Sequence, residues 1–196
     1  MHRLFLTIIL LLFIGVPPTL SATTQEVDEV FEEGRNICAL VLQKCTFKRL
    51  ELDLPLASTT YNDITVVSGV YNRLTKDELR AIVYHEVAHA ISDHSEKGQK
   101  VYNRFFEEYK RYPTAEELQP IKYKFENEAD TLAVLMLYGA KKPILLDTAL
   151  VKVTSPYGNG QASKTHPSVE TRVRHIQSLK NKLGVYWYVE KLLRTS

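Results

Sequence analysis

The run His85-Glu86-Val87-Ala88-His89 constrains this chain more than any other five residues in it, because its two histidines share one face only if the segment is helical. A helix is what the flanking sequence predicts. Thr75-Lys76-Asp77-Glu78 is a capping box, in which the Thr75 hydroxyl and the Glu78 carboxylate each satisfy a backbone N–H that the first turn leaves unpaired. Leu79, Ile82, Val83, Ala90 and Ile91 then supply an apolar face as far as Ser92. His85 and His89, one turn apart, can therefore offer two imidazole nitrogens to one ion.

Zinc suits nitrogen ligands with one open position, and it lowers the pKa of its water to near neutrality. Glu86 lies about 100° round the axis from His85, close enough to take that water's proton as a general base during attack on a peptide carbonyl. A third ligand must come from elsewhere. A metzincin would carry Gly at 92 and His at 95, but these positions are Ser92 and Ser95, which excludes that arrangement. Phe125-Glu126-Asn127-Glu128-Ala129-Asp130 supplies the candidates. Glu126 is the better one, since Asp130 follows four residues later on the same face and can hydrogen-bond a ligand histidine. Glu128 is the rival, about 200° round the helix from Glu126.

The His-Glu-x-x-His helix, the later Glu-x-x-x-Asp pair and His166-Pro167 followed by Arg172 together resemble the gluzincin family of HtpX-type heat-shock proteases and CAAX prenyl endopeptidases. The nearest likeness is to its small exported bacterial members, similar to the periplasmic protease that polices outer-membrane barrel assembly, and it spans roughly Leu50 to Leu179. The resemblance implies a zincin-like α+β domain, mostly helical, with a small sheet before the active helix, acting as a zinc endopeptidase on polypeptides. It implies His85, His89 and Glu126 as ligands to one Zn²⁺, Glu86 as the base and Asp130 as support. It also implies that His166 approaches the zinc, as oxyanion stabiliser or fourth ligand. Arg172 pairs with an acid to lock that segment. His94 matches a common family histidine of undefined role and reads as support or surface; His175 reads as surface. The family's strand ahead of the active helix survives only loosely, in Leu56-Ala57-Ser58-Thr59. Ile64, Thr65, Val66 and Val67 are instead the candidate edge strand for pairing with substrate backbone. A different class of function is a non-cleaving, zinc-bound module that holds client proteins under the control of His166.

With 196 residues, 44% of them hydrophobic, the chain suffices for one domain with a real core. Its 25 basic and 23 acidic residues are scattered, which argues against a nucleic-acid partner. Met1-His2-Arg3, the apolar run Leu4 to Val16, then Pro17-Pro18 and small polar residues read as a signal peptide over 1–22, cut after Ser21 or Ala22. The domain then covers 23–196 and is exported, to a periplasm. The alternative is an uncleaved N-terminal anchor or transient membrane association. If the segment Val27 to Lys44 is one helix that carries on to Cys45, Cys38 and Cys45, seven apart, are separated by about 10 Å of rise. A disulfide spans Cα atoms up to roughly 7 Å apart, so two separate buried thiols are favoured unless the helix ends before Cys45.

Periodicity predicts helices over Glu26–Gln43, Glu96–Tyr112, Ile121–Tyr138, Ile144–Val153 and Ser168–Leu183, with Leu132–Leu137 buried on every side. Strands are predicted over Phe47–Leu54 and Ile64–Val67, and a loop over Ser155–Thr165.

Overall fold

The computed structural model describes residues 21–54, 56–155, 163 and 166–195, with backbone alone from 185. Residues 1–20 of the expected signal peptide and most of the predicted loop after Ser155 lie outside the described residues. The fold is α+β and mostly helical. In chain order it runs α1 (Thr24–Leu40), β1 (Thr46–Leu50), β2 (Ala57–Thr60), β3 (Asp63–Val67), α2 (Ser68–Tyr71), α3 (Lys76–Ile91), α4 (His94–Tyr109), α5 (Ala115–Gly139), α6 (Leu146–Thr154) and α7 (Val169–Thr195).

The central element is α3. The Thr75–Glu78 capping box forms as the sequence predicts, but every residue from Glu78 to Ala88 is buried, so the helix has no solvent face. It is wrapped by α1, α5, α6 and β2. Burying so polar a helix requires partners for its charges. Arg80, almost inaccessible, is held by Glu33 of α1 at 2.5 Å and by Asp77. Glu78 meets Lys152 of α6 at 2.7 Å. The apolar remainder, Leu79, Ile82, Val83 and Val87, packs with Val27, Val30 and Phe31 of α1 and Val134 and Leu137 of α5 in one core.

The sheet has the order β1-β3-β2, with β1 parallel and β2 antiparallel to β3. This corrects the substrate-strand expectation. Ile64 to Val67 form the central strand, whose two sides are already paired with β1 and β2, leaving no free edge. The loose segment Ala57–Thr60 is one of the two outer strands instead, with β1 the other. The segment joining β1 to β2 crosses the start of α2, where the Gly69 N–H donates to the Leu52 carbonyl at 2.8 Å. A Cβ at Gly69 would stand 2.2 Å from the Leu54 carbonyl oxygen, so only glycine admits this crossing.

Other boundaries differ for local reasons. Helix α1 stops at Leu40, earlier than periodicity predicts, and the chain reverses through Leu42 at φ 59°. Leu40 and Val41, at that end, are exposed. The reversal brings the Cys45 and Cys38 Cα atoms to 6.0 Å, and the two form a disulfide rather than separate thiols. Helix α5 is capped by Thr114, whose capping box with Glu117 is complete, and runs unbroken through Pro120. Pro120 lies past the first turn, so it removes one bond of the helical ladder without ending the helix. Leu135 is exposed, so the segment 132–137 is buried on one side only.

Candidate metal centre

Helices α3 and α5 bring together His85, His89 and Glu126, whose ligand atoms all lie within 4.8 Å of one another. The two imidazole Nε2 atoms are 3.1 Å apart, and each faces a different oxygen of Glu126: His85 to Oε2 at 3.6 Å, His89 to Oε1 at 3.4 Å. Of these three residues His85 and Glu126 are buried and His89 partly so. Glu126 Oε2 is a buried carboxylate oxygen that makes no hydrogen bond, although the Arg172 guanidinium stands 3.2 Å away as an ion pair. Two nitrogen donors and an orphaned carboxylate oxygen around one point fit a divalent cation of the zinc class.

The charges around that point are balanced toward a cation. Burial works to raise Glu126, but His166, His89, His85 and Arg172 outweigh it and hold the carboxyl well below its usual range. Burial works to lower His89, yet Glu126 and Glu86 leave it raised. The field that favours a proton on His89 equally favours a metal ion.

Each of the two histidines is also held from behind. His85 Nδ1–H donates to Asp130 Oδ1 at 2.9 Å, which leaves Nε2 free. Asp130 is fully buried, and Arg172 and His85 overcome burial to keep its carboxyl at about 2. Arg172 pairs with Asp130 through Nε at 2.9 Å and Nη2 at 2.6 Å. For His89 the support is His94, with the two Nδ1 atoms at 2.9 Å, and His94 Nε2 reaches Glu128 Oε2 at 3.2 Å. The tautomers that leave His89 Nε2 free have His89 donating to His94 and His94 donating to Glu128. Burial and the neighbouring His89 push His94 down to about 4, so it is neutral near pH 7, as this relay requires. His94 is buried and stacked on Phe125, with ring centroids 4.4 Å apart. Glu128, the rival third ligand, thus faces His94 and not the centre. Its spacing from Glu126 excludes it from the ligand face, but no periodicity ties it to residue 94. His175, expected at the surface, is half-buried and bonded to Thr131 at 2.9 Å.

Glu86 is buried beside the centre, and a cavity of 410 Å³ opens over it, lined by β2, His85, His89, Glu126, His166 and Arg172 among others. The Glu86 carboxylate accepts from the Thr59 hydroxyl at 2.7 Å. His166 lies at the cavity rim, its side chain 56% exposed and its Nδ1 3.1 Å from Glu126 Oε1. The backbone N–H of His166 is fixed by Ser163 Oγ at 3.0 Å. Among the expected substrate residues Ile64, Thr65, Val66 and Val67, none lines this cavity; Ala57, Ser58 and Thr59 do. Thr59 was missed because a lone strand threonine carries no motif.

Residues 57–105, from β2 into α4, match the model of Peptidase family M48. The match includes Thr59, His85, Glu86, His89 and His94, whereas Glu126, Asp130, His166 and Arg172 lie beyond the matched residues. None of the curated proteins compared with the chain matches it.

Proposed function

We propose, from the premise that this chain is a zinc metallopeptidase of family M48, that it is an exported endopeptidase cutting unfolded or misassembled polypeptides, with one zinc ion per chain held by His85, His89 and Glu126. The observation that carries the reading is the buried Glu126 Oε2, without a hydrogen bond and facing imidazole nitrogen. When bound, zinc polarises the scissile carbonyl and brings the pKa of its water near neutrality.

The protein's own groups do the rest. Glu86 takes the proton of the attacking water and returns it to the leaving amine. Asp130 and the His94–Glu128 pair keep the two imidazoles in the tautomer and orientation that present Nε2. Arg172 offsets the charge of two buried carboxylates. His166, on the rim beside Glu126, is within reach of a carbonyl seated in the cavity and stabilises its developing negative charge.

Substrate selection follows from β2. The Val67 N–H bonds the Leu56 carbonyl at 3.1 Å, so the antiparallel alternation turns the backbone N–H and C=O of Ala57 and Thr59 to the unpaired side. An extended segment can add there as a further strand, which a folded protein cannot supply. Export is supported by the charged-then-apolar start of the chain and by the Cys38–Cys45 disulfide, a bond that persists in oxidising compartments such as a periplasm. Among the described residues no helix is long and apolar enough to cross a membrane.

The test compares the purified protein with Glu86→Gln on casein. The wild type is expected to cleave with about one zinc per chain, and the variant to keep its zinc while losing roughly 10²–10⁴-fold in kcat. The contact of His166 with Glu126 favours a second reading, a centre held shut in a client-binding module. That reading wins if both proteins bind casein equally and neither cuts it.

A further inference from the structure

We infer that Thr59 is a positioning residue for Glu86: its hydroxyl fixes the carboxylate of the base against the strand to which substrate backbone pairs. The inference rests on the peptidase reading above and adds a residue that the His-Glu-x-x-His motif does not contain.

Thr59 Oγ1 lies 2.7 Å from Glu86 Oε2 and 2.9 Å from the Glu86 carbonyl oxygen. A hydroxyl has one proton to give. The carbonyl already belongs to the helical ladder of α3, and a bond to a carboxylate is the stronger of the two, so the proton goes to Oε2. Among the described residues no other group hydrogen-bonds the Glu86 carboxylate, and Oε1 is left for the cavity. Without Thr59 a long, flexible side chain would choose its orientation unaided. A general base must sit within hydrogen-bond reach of the proton it removes, and small misplacements are costly in rate.

The strand gives this bond a second consequence. Side chains alternate along β2, so Ser58 and Thr60 point away from the face on which Thr59 meets Glu86. The Thr59 backbone groups point to the free edge. One residue thus holds the base with its side chain and offers its main chain to the substrate, setting the scissile bond and the base in a common register. Valine would serve the strand equally well; only the hydroxyl needs this contact to explain it.

The experiment uses Thr59→Val, nearly isosteric, and Thr59→Ser, which restores the hydroxyl. Thr59→Val is expected to lower kcat about 10- to 100-fold, the loss of one hydrogen bond to a charged group. KM should stay within about twofold and zinc content at the wild-type value, as the ligands are untouched. Thr59→Ser should return kcat to within about threefold of wild type. An unchanged kcat in Thr59→Val overturns the inference, as does a Thr59→Ser variant equally impaired, or an effect confined to KM. Crystal structures of the metal-free proteins provide a readout that needs no activity. Glu86 should leave its wild-type position in Thr59→Val and keep it in Thr59→Ser; a Glu86 that stays put in both overturns the inference. Wild-type protein that binds zinc and cuts nothing would defeat the peptidase reading, and the metal-free structures would still decide the role of Thr59.

Discussion

Arg172 and Asp130 form a two-point ion pair inside the protein, Nε to Oδ2 at 2.9 Å and Nη2 to Oδ1 at 2.6 Å, with Asp130 wholly buried. The pair joins α7 to α5, and the same Asp130 Oδ1 accepts from His85. Fold and candidate metal centre therefore share one carboxylate. Removing one partner of a buried pair strands the other charge, so Arg172→Met should destabilise the protein by roughly 3–5 kcal/mol. Urea unfolding of the zinc-free protein measures this directly, and a change below about 1 kcal/mol would mean that water replaces the guanidinium.

His94 should matter for metal affinity while leaving the fold intact. His94→Phe keeps an aromatic ring stacked on Phe125 but removes the contact to His89 Nδ1. Loss of such a support typically weakens metal binding about 10- to 100-fold. Competition with a chelator of known affinity gives the number. Glu128→Gln, one bond further out, should show a smaller loss in the same direction, and an unchanged affinity in both variants would remove the relay from the account.

The centre was more legible in the sequence than the sheet. His85 and His89 are one turn apart inside a capped helix, and Glu126 and Asp130 repeat that spacing, so helical geometry alone pairs them up. Residues 94 and 128 belong to different helices and meet only through the crossing of α4 and α5, which no local pattern encodes. Ala57-Ser58-Thr59-Thr60 lacks apolar alternation, so the edge strand did not announce itself, while β-branched Ile64 to Val67 looked like a strand but carried no mark of being central. The end of α1 was hidden for a similar reason. A leucine, not a glycine or asparagine, takes the left-handed turn at residue 42, and the disulfide that depends on that turn was hidden with it.

The bond between Cys38 and Cys45 closes a short loop, with a sequence separation of 7. On the chain-entropy account a loop of that size stabilises by about 2–3 kcal/mol. Replacing both cysteines by alanine should lower the urea midpoint correspondingly. The centre lies on other elements, so zinc content should not change. Thiol titration of the unfolded, unreduced protein should find no free thiol, and two after reduction.

Stability should also fall in acid through Glu78. Its carboxylate caps α3 at Thr75 and pairs with Lys152 of α6 at 2.7 Å. Burial alone would raise its pKa, but the bonds from Lys152 and Thr75 outweigh burial and leave it below the usual 4.5. A carboxyl lowered on folding contributes stability that is complete above its unfolded value and lost as pH falls through the folded one. Wild type should therefore exceed Glu78→Gln in thermal midpoint by a constant margin at pH 6 to 7, and the margin should shrink steadily below about pH 4.5. Lys152→Met should reduce the pH-dependent part while leaving the cap, because Thr75 still donates to Glu78. If instead the Glu78→Gln margin is independent of pH down to 3, the carboxylate acts only as a neutral cap would, and the charge of Lys152 contributes nothing to holding α6 against α3.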